Sequence, residues 1–176
     1  MSNKIIYGAY CRKSSESEER QVQSIEDQLR DLETIRIKEN LQVLGEPLKE
    51  SRSAHYPGRP NFTKLVSLIE SGKINGILTW HPNRLSRNPV DSGTIIYLMD
   101  RKKLLYIKTP SKTYVNTPDD KFMLQLDFGM SKKDSDDKGV NVKRGLTGKA
   151  IKGYPTGVSK IGYLNDKTEE KGNRKW

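Results

Sequence analysis

Four short apolar runs alternate with three amphipathic ones, and this alternation leaves few ways to fold the chain. The first run, KIIYGAYCR at 4–12, is rich in Ile and Tyr and reads as a strand. Ser24 then suits an N-cap, with Glu26 and Asp27 in the first turn. Ile25, Leu29, Leu32 and Ile35 recur at helical spacing, which predicts a helix over 24–39. LQVLGEPLKE at 41–50 contains a second strand, where Pro47 argues for an edge or a bulge. After a loop turned by Pro57-Gly58, Pro60 opens a helix with Phe62, Leu65, Val66 and Ile69 on its apolar face, stopped at Gly72. INGILTW at 74–80 is a third strand, and HPNRLSRNP follows as a loop. Val90, Thr94, Ile95 and Leu98 mark a helix over 89–102, and LLYIK at 104–108 is a fourth strand. The order is βαβαβαβ, with connections long enough for crossover helices. That predicts an α/β fold: a mostly parallel four- to five-stranded sheet flanked by helices.

A break at TPSKTYVNTPDD leads into a long C-terminal helix. Thr117 as cap, Pro118 at the first position and the acids Asp119 and Asp120 form a strong start signal. Phe122, Leu124, Leu126, Phe128 and Met130 make its beginning apolar, and the rest is polar nearly all round. Gly129, Gly139 and Gly145 weaken it, so the far half is expected to need a partner. The Gly- and Lys-rich tail reads as the opening of a further domain. The expected divisions are 1–115, 116–146 and 147–176.

The formal charge is +10, and more than half of that excess lies beyond Gly129. A balance this basic points to an acidic polymer, nucleic acid first. The single cysteine, Cys11, excludes an intrachain disulfide and fits a reducing compartment; within an apolar run it reads as a small core residue. There is no membrane-length apolar stretch, and the N-terminus is too short and polar for a signal peptide, so a cytoplasmic protein is expected.

In an open parallel sheet, functional groups collect beyond the carboxyl ends of the strands. The loop after the first strand carries Arg12, Ser14, Ser15 and Ser17. The loop after the second carries Glu50, Ser53 and Arg59, and the loop after the third carries His81, Asn83, Arg84 and Arg87. Serines in such places are commonly turn formers, and arginines near helix starts are commonly surface residues. Their joint placement on three strand ends favours function. Guanidinium forks match phosphate oxygens and stay charged at neutral pH, so several aimed at one point stabilise a phosphoryl group in transfer. A serine among them would be a nucleophile towards phosphorus. Clustered carboxylates or histidines of a metal-dependent nuclease are missing, and KRGLTGKA fails the P-loop pattern at Lys143 and Ala150. Nothing asks for ATP, a metal or another cofactor.

YCRKS at 10–14, QSIEDQ at 23–28, GRPNF at 58–62 and NRLSRN at 83–88, in this order and spacing, resemble the catalytic domain of the serine recombinases, the resolvase–invertase family. DKFMLQLDFGMSKKDSDD with NVKRGL resembles the long helix of the large integrase and transposase branch, and GYPTGVSKIGYLND the first strands of its recombinase domain, within which the chain breaks off. The resemblance implies that Ser14 is the nucleophile and Arg12, Arg59, Arg84 and Arg87 active-site arginines. It implies that Gln28, with Gln23 and Ser24, organises the pocket and that Ser53 supports it. Asn83 stands where the family's motif commonly has aspartate. An amide replaces that carboxyl in positioning an arginine but not in moving a proton. The implied reaction is cleavage and rejoining of double-stranded DNA through a 5′-phosphoserine link, without metal or ATP. The implied partner is a second copy of the chain, as a dimer and then a tetramer. In the family the far end of the long helix lies along DNA, where this chain carries Lys143, Arg144, Lys149 and Lys152. The alternatives are a non-catalytic DNA-binding or oligomerisation module and an unrelated phosphate-binding α/β protein.

Overall fold

The computed structural model describes residues 4–13, 25–51, 53–154 and 156. Strand β1 (Ile6–Arg12) is followed by helix α1 (Ile25–Lys38), and the short strands β2 (Gln42–Val43) and β3 (Leu48–Glu50) come next. Helix α2 (Pro60–Glu70) leads to β4 (Gly76–Thr79), the one-turn α3 (Pro82–Leu85) and α4 (Pro89–Asp100). The chain continues through β5 (Tyr106–Lys108), β6 (Thr113–Val115) and the long α5 (Pro118–Ile151). The expected mostly parallel sheet with flanking helices and a long last helix is present.

Three details go beyond the expectation. The second strand is divided: β2 pairs the start of β1 (Ile6 with Gln42) and β3 its end (Arg12 with Glu50). Between them Gly45 takes φ +64, a left-handed turn that Pro47 follows. Inside the loop after β4 lies α3, capped by His81 and opened by Pro82. The break before α5 contains β6, which pairs antiparallel with β5. Its three residues are too short for a periodic signal.

The sheet runs β2–β1–β4–β5–β6, with β3 also on β1. Alternation along β1 sends Tyr7, Ala9 and Cys11 to one face, where they pack with Leu32 of α1 and Leu78. Tyr10 packs on the other face with Phe62, Leu65 and Ile69 of α2, Ile95 and Leu98 of α4, and Leu124 and Phe128 of α5. Burial pushes the Cys11 thiol up to about 12, which leaves it an inert core group.

On α4, Val90 is exposed, and the buried place near that helix start belongs to Asp91, whose carboxylate is drawn inward by polar partners. On α5, Phe122, Leu126 and Met130 are exposed, because only Leu124 and Phe128, four apart, meet the core. Each of those two contributes on the order of 1.5–3 kcal/mol by burial. Thr117 Oγ1 accepts from Asp120 N at 3.3 Å, as a cap should. The helix runs unbroken past Gly129, Gly139 and Gly145. The described residues fall into two compact units divided between Lys132 and Lys133.

Gly76 marks a close approach: a Cβ there would lie 2.7 Å from the Tyr7 ring. Gly76→Ala should destabilise the fold by about 1–3 kcal/mol in urea unfolding, and an unchanged midpoint would contradict this packing.

Candidate active site

Two connections part company at the middle of the sheet. β1 leads through α1 to β2 on one side, whereas β4 leads through α4 to β5 on the other. The adjacent carboxyl ends of β1 and β4 are therefore the switch point, the place where open α/β sheets bind their ligands. Arg12 and Lys13 leave one strand there, and residues 80–88 leave the other.

Arg12 ends β1 and is fully buried. Its Nε donates to Arg84 O at 3.3 Å, Nη1 to Lys13 O at 3.0 Å and Nη2 to Asn83 O at 3.2 Å. All three acceptors are neutral carbonyls. Burial first, and then the positive charges of Arg87 and Arg84, hold its pKa down to about 9. An arginine stays protonated at neutral pH regardless, so this is a charge kept at a cost that an anion would offset. Arg84 is buried at the end of α3, with its guanidinium 5.5 Å from the centre of the Trp80 ring. Arg87 is buried too, and its backbone N–H donates to Ala54 O at 3.2 Å.

Arg59 is used differently. It occupies the N-cap of α2 and turns inward over the Phe62 ring at 4.3 Å. Nη1 donates to Tyr10 OH at 2.8 Å, and Nη2 donates to Leu85 O and pairs with Asp91 Oδ2 at 2.7 Å. Asn88 completes this buried knot: its Nδ2 donates to Asp91 Oδ2 at 2.7 Å and to Ala54 O at 2.9 Å. Its Oδ1 caps α4 by accepting from Asp91 N at 2.9 Å. Removing one partner of such a buried pair costs about 3–5 kcal/mol. Arg59 thus ties α2, β1 and the β4–α4 loop together with its charge already matched. Asn88 and Asp91 were not singled out in the sequence. The signal was Asn-Pro-x-Asp, a cap, a first-position proline and an acid within the first turn.

Gln28 is fully buried on α1, and its Nε2 donates to Arg12 O at 3.2 Å, fixing the end of β1. Ser53 is partly buried and closes a turn, its Oγ accepting from His55 N at 3.2 Å. Asn83 contributes its backbone carbonyl to Arg12, and its buried Oδ1 has no hydrogen-bond partner among the described residues. Glu50 is buried at the end of β3 and accepts from Asn61 N at 3.1 Å, at the start of α2. Ser14, Ser15, Ser17, Gln23 and Ser24 lie outside the described residues, which stop at Lys13 and resume at Ile25. In the second unit, Lys143 and Arg144 are exposed on α5, Lys149 is partly exposed, and Lys152 is exposed just past the helix. Among the described residues no three His, Cys, Asp or Glu side chains gather as metal ligands, and no helix is long and apolar enough to cross a membrane.

The family model for the resolvase N-terminal domain matches residues 7–154, and the chain belongs to the resolvase family. The N-terminal catalytic domain of TP901-1 integrase has a similar structure, with a TM-score of 0.54 at 17% identity over 76% of this chain and 98% of that one. A resolvase family site-specific recombinase from Streptococcus pneumoniae gives a TM-score of 0.52 at 18% identity, over 84% of this chain and 99% of that one. Those likenesses show a shared fold. No curated protein shows significant similarity to the chain.

The arginine group should bind a tetrahedral dianion. Sulfate at a hundred times its Kd should add about 2.7 kcal/mol to stability, read as a rise in Tm against chloride at equal ionic strength. Arg12→Met should lose that rise, and an equal rise in the variant would show that Arg12 takes no part.

Proposed function

We propose that this chain is the catalytic domain of a site-specific DNA recombinase that works through a serine nucleophile. The observation that carries the reading is Arg12: a buried guanidinium whose hydrogen bonds among the described residues go to carbonyls, beside two further buried arginines, two residues before Ser14 in a resolvase-family chain.

In this reading the Ser14 hydroxyl oxygen attacks the scissile phosphorus of double-stranded DNA. The bond from phosphorus to the 3′-oxygen breaks, a 5′-phosphoserine link forms, and the 3′-oxygen leaves with a proton. The serine proton passes to solvent or to a neighbouring group. Arg12, Arg84 and Arg87 stabilise the charge on the non-bridging oxygens. Gln28, Arg59, Ser53 and Asn83 position the strand ends from which those groups project. Attack by a 3′-hydroxyl on the phosphoserine reverses the step, and the ester bond is conserved throughout. The mechanism therefore needs neither ATP nor a metal.

Phe122, Leu126 and Met130, exposed on α5, support self-association, as a dimer and then a tetramer that joins two DNA sites. Lys143, Arg144, Lys149 and Lys152 would contact phosphates along the duplex. The cytoplasm is where such a chain meets its DNA. A non-catalytic DNA-binding or oligomerisation module is the second reading, favoured by the amide at Asn83, which transfers no proton.

The chain is incubated in EDTA with a library of nicked duplexes and resolved under denaturing conditions. A covalent protein–DNA adduct is expected from the wild type and from Ser15→Ala, and none from Ser14→Ala. An adduct that survives Ser14→Ala and vanishes in Ser15→Ala would reassign the nucleophile. Cleavage that needs Mg²⁺ and leaves no adduct would overturn the mechanism, and binding without cleavage would favour the second reading. Nonspecific binding should have a Kd of about 10⁻⁴ to 10⁻⁶ M. Replacing both Lys143 and Arg144 by Ala should flatten the slope of log K against log salt by about 1.8.

A further inference from the structure

His81 sits at the hinge between β4 and the arginine-bearing turn. It is the N-cap of α3, with extended backbone at φ −160 and ψ 151. Its Nδ1 accepts from Asn83 N at 3.2 Å, and its carbonyl accepts from Arg84 N at 2.9 Å. The neutral ring must therefore carry its proton on Nε2. The turn capped in this way supplies the Asn83 and Arg84 carbonyls that receive Arg12. Cap and arginine anchor are two ends of one short piece of backbone.

We propose that His81 is a positioning residue: its neutral ring holds the β4–α4 loop in the form that seats Arg12 and gathers the arginines, and a proton on Nδ1 releases that hold. With both ring nitrogens protonated, Nδ1 becomes a donor facing the Asn83 N–H, and the cap is lost. Among the described residues the charged groups acting on the ring are Arg84 from the turn itself and Asp127 from α5, while the Trp80 ring lies tilted 6.3 Å away. Asp127 also accepts from Tyr114 OH at 2.6 Å, which fixes the carboxylate between β6 and α5. An imidazolium is drawn towards Asp127 and the Asn83 side chain and is repelled by the Asn83 backbone N–H. Burial is the largest influence and, with Arg84, opposes the charged ring more than Asp127 and the Asn83 side chain favour it, so its pKa lies below the usual histidine range. The ring is neutral at pH 7. Because the folded pKa is the lower one, its contribution to stability is full above about 6.5 and falls as the pH drops below that.

The inference rests on the arginine group being the phosphate site of the reading above, and sulfate, which does not titrate in this range, probes it without DNA. Calorimetric titration with sodium sulfate at pH 7.5 and at an acid pH where NMR shows the His81 ring protonated, at constant ionic strength, compares wild type with His81→Asn and His81→Ala. Asparagine caps through an amide oxygen that does not titrate. Wild-type affinity should fall about fivefold in acid, the scale of a lost cap. His81→Asn should hold its affinity at both pH values, and His81→Ala should be weak at both. A ring acting only through its charge would do the reverse and strengthen sulfate binding in acid, which would overturn the proposal. So would a fall in His81→Asn equal to that of wild type. Either result leaves the recombinase reading standing, whereas a missing Ser14 adduct would sink that reading without touching the pH behaviour of sulfate.

Discussion

The carboxylate of Asp91 is the contact on which the geometry of the arginine group depends. It draws Arg59 inward from the start of α2 and Asn88 inward from the start of α4. The Arg59 guanidinium then reaches the Tyr10 hydroxyl on β1 and the Leu85 carbonyl on α3. Four elements that meet in one hydrophobic core are also pinned by one anion and one cation. A buried pair of this kind adds little net stability over an apolar substitute, and its value here is directional. It sets where the β4–α4 loop crosses the mouth of the sheet.

Beside that neutralised pair stands Arg12, equally buried but met, among the described residues, by carbonyl oxygens. The contrast separates two jobs for one residue type. Arg59 has its anion within the protein, while Arg12 keeps a charge to which the described residues offer carbonyl dipoles. Topology puts that charge at the switch point of the sheet, because β1 and β4 send their crossovers in opposite directions from adjacent carboxyl ends. α1 contributes from the opposite face through Gln28, which grips the carbonyl of Arg12.

Much of this was legible in the sequence. The strand and helix order followed from periodicity and proline placement, and Arg12, Arg84 and Arg87 were found at the predicted strand ends. What escaped was local or cooperative. β6 and α3 are too short to carry a period, and the division of β2 from β3 depends on the φ of Gly45. Val90 outranks Asp91 on any hydropathy scale, yet Asp91 is the buried one, because Arg59 reaches it from elsewhere in the fold and joins Asn88, the cap of its own helix. Nothing in a linear reading distinguished Arg59, with its charge matched, from Arg12, with its charge held in reserve.

Arg12 grips the backbone oxygen of Asn83, not its side chain. A main-chain acceptor is the same atom whatever amino acid supplies it. Position 83 can therefore drift between carboxyl and amide without moving the guanidinium it supports. The exchange alters the chemistry of one side chain and leaves the placement of another intact. A site built on such anchors can be retuned one residue at a time, since the parts that set reactivity are not the parts that set geometry.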